Sequence, residues 1–141
     1  MPSEPHWLPA EVVIEHNRRE LAGTGEHHFL RDIGLLESAL ARPRNFFGYG
    51  EEDIVVLAVT LMAGIAQAHP FEQGNKRTAF AAMRLFLGAN GYDTSFDDTT
   101  PWAEEIIALV EHRTAEEDFV RTIRPFVVER APVKRNASCS G

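Results

Sequence analysis

A chain of 141 residues, 44% hydrophobic and 25% charged, has the length of one domain and the composition of an ordinary globular protein, which excludes a largely disordered chain. Fourteen Lys and Arg against 21 Asp and Glu leave a net charge of -7, which excludes broad electrostatic attraction to nucleic acid but not a local basic pocket. No apolar run approaches the roughly 18 residues of a membrane span, no export signal is present, and the single Cys139 supports neither a disulfide framework nor a zinc set, so a cytoplasmic location is expected.

Residues 7–130 are expected to form one domain between flexible ends at 1–6 and 131–141. Pro9 suits the first turn of a helix over 9–22, where Val12, Val13, His16 and Leu21 recur at helical spacing before Gly23. Ile33, Leu36 and Leu40 share one face of a second helix over 30–41, which is expected to stop before Pro43 because proline disfavours helical backbone in its predecessor. The stretch 43–50, which combines Phe46, Phe47 and Tyr49 with two glycines, then reads as an aromatic loop with room for a short hairpin.

From Glu51 to Ala68 almost no polar face remains, the pattern of a buried central helix. A second apolar helix over 75–89 ends at Asn90-Gly91, and the two should pack as a hairpin. After a loop over 93–100, Pro101 opens an amphipathic helix to about residue 112, and Phe119, Ile123, Phe126 and Val127 repeat the stripe. No set of alternating strands is evident, so the fold class is all-α, a helical bundle.

The chemistry concentrates between the two buried helices, in His69-Pro70-Phe71-Glu72-Gln73-Gly74-Asn75-Lys76-Arg77. Gly74 and Asn75 precede a helix whose unpaired N–H groups and dipole converge beside Lys76 and Arg77, a natural seat for phosphate. His69, on the other side of the turn, can take a proton from an incoming hydroxyl near neutral pH. Phe71 would anchor the turn in the core, and Pro70 restricts its backbone. Taken singly, each residue has a structural reading; their combination in one short turn favours a reactive site.

This segment resembles the motif of the Fic/Doc (death-on-curing) family: His-Pro-Phe, any residue, Asp or Glu, Gly-Asn, a variable residue, then Arg. It is most similar to the Doc branch, because Lys76 stands where nucleotidyl-transferring members usually carry glycine and Phe80 occupies the position of their second arginine. The resemblance implies a helical Fic fold and a transferase using ATP and Mg2+, with His69 as base. Gly74, Asn75, Lys76 and Arg77 would hold phosphates, with Phe71 on the same nucleotide-binding side, and Gln73 would stand at the metal position. In the Doc branch it further implies phosphate transfer to a hydroxyl of a translation elongation factor by a toxin that a small antitoxin restrains. The alternatives are AMP transfer, as in the wider family, and a silent binding protein, since the neutral Gln73 is a weaker ligand than a carboxylate.

By the same resemblance, the loop at 43–50 is expected to serve as a flap holding the target backbone in extended form. The family's inhibitory helix carries Ser or Thr, three residues, Glu, then Gly or Asn; Thr100 to Glu104 is followed by Glu105, so restraint by a separate antitoxin is expected. His27-His28 reads as a polar loop pair, Glu116-Glu117-Asp118 as a charged helix start, and Arg84 as an ion-pair partner.

Overall fold

The computed structural model describes residues 3–95 and 102–130. Among these residues six helices make up the bundle: α1 (Ala10–Leu21), α2 (Ile33–Gly48), α3 (Ile54–Ala68), α4 (Asn75–Ala89), α5 (Ala103–Val110) and α6 (Glu116–Ile123). Two short strands, β1 (Tyr92–Thr94) and β2 (Val127–Glu129), pair antiparallel with Tyr92 opposite Glu129. The all-α expectation holds, with this two-stranded ribbon as an addition. Among the described residues, no helix is long and apolar enough to cross a membrane.

The apolar character of α3 makes it the centre, with every residue from Leu57 to Ala66 buried, and it packs most extensively against α2 and α4. At the crossing with α2 the backbones approach closely. A Cβ added to Gly64 would lie 3.3 Å from the Ala39 Cβ and 3.2 Å from the Arg42 side chain, so the absent side chain sets the helix separation.

Asp53 caps α3, accepting from the N–H groups of Val55 (3.0 Å) and Val56 (3.4 Å), and its carboxylate also meets Arg124 at 2.8 Å. That cap starts the helix three residues later than the apolar run suggested. Burial works to raise the Asp53 pKa, but Arg124 and the two backbone donors outweigh it and hold the carboxyl below its ordinary value.

Several expectations need correction. Helix α2 does not end before Pro43: it continues to Gly48, so residues 43–48 are its last turns and no flap or hairpin lies there. Pro43 is buried on the same face as Leu36 and Ala39, and neighbouring Arg42 donates to the Thr60 carbonyl (3.0 Å) and to Glu116 (3.1 Å). Packing onto α3 and α6 outweighs the roughly 3 kcal/mol cost of an interior proline. At the other end, α2 begins at Ile33 rather than residue 30, because Leu30 is extended and bridges antiparallel to Phe71, while Asp32 caps the helix through Leu35 N–H (3.2 Å).

The second apolar stripe also ends earlier than expected, since Arg124–Phe126 form a 3-10 turn and Val127 enters β2. Glu116, Glu117 and Asp118 do occupy the first turn of α6, where their charge suits the helix dipole. Residues 1–2, the later part of the 93–100 loop, Pro101 and the tail from 131, with Cys139, lie outside the described residues. Before α1, His6 exchanges two hydrogen bonds with the side chain of Asn90 (2.8 and 3.0 Å), and Trp7 stacks on Phe86 with ring centroids 5.8 Å apart.

Candidate active site

The turn from His69 to Gly74 joins the two best-buried helices. His69 is the C-cap of α3, with a left-handed backbone (φ 52°, ψ 57°) that only a few per cent of non-glycine residues adopt. Its N–H donates to the Ile65 carbonyl at 3.2 Å, and its own carbonyl accepts from the Arg31 guanidinium. The strain of such a conformer, on the order of 1–3 kcal/mol, persists only where surrounding bonds hold it. His69 is half-buried.

The rest of the turn is tied residue by residue. The Pro70 carbonyl accepts from Arg31 N–H (2.8 Å) and Asp32 N–H (3.2 Å), and Glu72 N–H donates to the Phe29 carbonyl (2.9 Å). The extended segment 29–32 therefore runs beside the motif, whereas residues 43–48, expected to form the flap, are helical. Asn75 closes the turn from within: its amide accepts from Phe71 N–H (2.9 Å) and donates to the Phe71 carbonyl (2.8 Å). The Phe71 ring is only 1% exposed and belongs to the core, as the anchor reading required.

Gly74 is the N-cap of α4 at φ 76°, in the left-handed region that favours glycine. A Cβ there would stand 3.1 Å from the Leu21 side chain and 3.3 Å from the Asn17 amide. The Gly74 carbonyl accepts from Thr78 N–H at 2.9 Å, while the N–H groups of Asn75, Lys76 and Arg77 have no backbone acceptor among the described residues. With Ala103 and Ile106 of α5, residues Gly74 to Arg77 line a cleft of about 290 Å3. A larger concavity of about 660 Å3, between α4 and β1, contains none of the motif residues.

The cations differ in state. Lys76 is exposed, whereas Arg77 is half-buried and pairs with the Glu26 carboxylate from the α1–α2 connection. Arg84, seven residues further on, donates to Thr94 Oγ1 at 3.2 Å and belongs to the β1 region. The Gln73 side chain is exposed, with no hydrogen-bond partner among the described residues, and its carbonyl accepts from Asn17 at 3.0 Å.

Open N–H groups, two cationic side chains and a glycine-permitted backbone suit nucleotide phosphates. They do not make an all-protein magnesium site: Gln73 offers one neutral amide oxygen, and no three His, Cys, Asp or Glu side chains converge among the described residues. The donors suit an ion that enters on phosphate oxygens and keeps several waters.

Sequence reasoning located His69, Phe71, Gln73 and Gly74 to Arg77 on one turn, and the structure keeps them there. It did not find Asn17, Glu26 or Arg31, which reach the turn from elsewhere. For Asn17 a signal existed, since it lies four residues after Val13 and four before Leu21, a polar residue on an apolar stripe. Glu26 and Arg31 sit in an irregular segment whose placement depends on long-range pairing.

The family model described as "Fic/DOC family" matches residues 7–87, more than half of the chain. The chain is also similar to "Toxin Doc" of Mycolicibacterium smegmatis, 36% identical over 94 residues that cover 64% of this chain and 72% of that protein. To "Protein kinase doc" of Escherichia phage P1 it is 30% identical over 87 residues, 61% of this chain and 68% of the relative. Both matched relatives are Doc proteins by name, in keeping with Lys76 and Phe80 in the motif helix. The chain, with the motif turn between two buried helices of an all-α bundle, belongs to the Fic/Doc family.

Proposed function

We propose that this protein is a Doc-like toxin that transfers the γ-phosphoryl group of ATP to a hydroxyl of another protein, a translation elongation factor. A small antitoxin is its restraining partner, and its site of action is the cytoplasm. The observation that carries the reading is the turn itself: five residues separate a histidine at the strained end of α3 from the open N-terminus of α4, which Lys76 and Arg77 flank. Names of the relatives, a toxin and a protein kinase, support the same class of reaction.

In this account the N–H groups at the start of α4, with Lys76 and Arg77, bind the phosphates and offset charge developing in transfer. Phe71 and Asn75 act on the nucleotide side by holding the turn rather than by side-chain contact. The exposed Gln73 amide would hold magnesium that arrives with the nucleotide, and the ion would supply further charge neutralisation. His69 takes the proton of the incoming hydroxyl as its oxygen bonds to the γ-phosphorus; the bond to the β–γ bridging oxygen breaks and ADP leaves with that electron pair. Extended backbone at 29–32, already paired on one side with the motif, offers an edge for aligning a target segment.

The neutral Gln73 favours one other reading, a binding protein of Fic fold that does not react. Incubating the full chain with ATP, Mg2+ or Mn2+ and purified elongation factors, then weighing each factor by mass spectrometry, separates the possibilities. One added phosphate supports phosphoryl transfer, an added nucleotide replaces it with AMP transfer, and no modification with either metal supports the silent reading.

A further inference from the structure

Asn17 is a completely buried polar side chain in the middle of α1, far in sequence from the motif, yet its amide is committed to the motif turn. Its Nδ2 donates to the Gln73 carbonyl (3.0 Å) and to Thr78 Oγ1 (2.9 Å), the residues either side of the Gly74 bend. On its other side Oδ1 lies 2.7 Å from Nδ1 of His28. The Gly74 backbone rests on the same amide, close enough that a Cβ there would come within 3.3 Å of Nδ2.

The amide's orientation follows from its partners. A peptide carbonyl only accepts, so the atom facing Gln73 O is the donor Nδ2, and Oδ1 must face His28. Because Oδ1 only accepts, Nδ1 of His28 must carry a proton. The ring is then held as the Nδ1–H tautomer, and Nε2 has no hydrogen-bond partner among the described residues. The His28 ring in turn packs against Phe71, with centroids 6.2 Å apart.

We propose that Asn17 is a positioning residue for the phosphate cradle: it sets the Gln73–Thr78 bend against α1 and fixes His28 as the Nδ1–H tautomer. One amide thus couples three segments, α1, the 27–32 connection and the start of α4, whose relative placement determines where the open N–H groups point. The inference rests on reading that bend as a phosphate site. A merely structural Asn17 would contribute stability alone, as a satisfied buried polar group does.

The test compares full-length, 15N-labelled wild type with Asn17→Leu and with Ile123→Ala, a truncation of a buried residue of α6, which packs chiefly on α3, chosen to supply destabilisation without removing a hydrogen bond of the cradle. Asn17→Leu is expected to weaken ATP binding, measured by titration calorimetry, about fivefold or more. It should also displace the amide signals of Gly74 to Arg77 and release the His28 ring from a single Nδ1–H tautomer into a mixture. Ile123→Ala should lose thermal stability while keeping all three. Should the Leu variant fail to fold, Asn17→Ala, which leaves room for water, carries the same expectations. Wild-type ATP affinity, amide signals and His28 tautomer in a folded Asn17 variant would overturn the proposal. If the wild type takes up no ATP, the functional reading falls, and the amide and His28 signals of the ligand-free variants still decide whether Asn17 positions the turn.

Discussion

Arg77, the cation at the first turn of α4, is held by the carboxylate of Glu26, a residue 51 positions earlier in the chain. Any anion that recruits Arg77 must compete with that carboxylate. Both side chains are more than a third exposed, so the pair is a modest competitor. Glu26→Gln is therefore expected to tighten ATP binding about two- to fivefold, read by calorimetry at low salt. Unchanged affinity would mean that phosphate does not use Arg77.

Asn75 spends its amide on both backbone groups of Phe71 and so holds the turn from within. Asn75→Ala is expected to cost about 1–3 kcal/mol in urea unfolding, because it strips the partners from a half-buried N–H and C=O at once. A loss under a few tenths of a kcal/mol would show that water replaces the amide without cost and that the turn is held by the 29–32 segment alone.

Why the turn was legible in sequence and its supports were not follows from the range of the forces involved. Helices α3 and α4 declare themselves locally: Leu57 to Ala66 leave no polar face, and Gly74 and Asn90 mark one helix start and one stop. The motif between them is contiguous, so its chemistry could be read directly. The course of α2 past Pro43 depended on packing against Thr60 and Glu116, and the extended 29–32 segment on Pro70 and Phe71. Local rules have no access to such partners. The three-residue strands at Tyr92 and Val127 are too short for an alternating pattern, and they pair across α5 and α6.

Asp53 gives the fold a specific acid response. Its folded-state pKa is depressed, so its charge contributes stability above the unfolded value of roughly 3.9, and that contribution is lost as pH falls through the lower, folded value. Asn at this position keeps an oxygen for the Val55 and Val56 N–H groups but loses the charge that meets Arg124. Asp53→Asn is expected to be less stable than wild type at pH 7 by up to about 1 kcal/mol, since the pair is partly exposed. The gap should close in strong acid, where the wild-type carboxyl is also protonated. Thermal unfolding measured across pH checks both the sign and the window; a gap that widened in acid would contradict the assignment.

The central claim is that the imidazole at the end of α3 moves the proton during transfer of phosphate to a protein hydroxyl. Its most direct test is a mass spectrum of the elongation factor after incubation with ATP and Mg2+, using wild type and His69→Ala side by side. The account predicts one added phosphate on a hydroxyl side chain with wild type and none with His69→Ala, although the variant still binds ATP. Equal modification by both proteins, or none by wild type with any divalent metal, would contradict it.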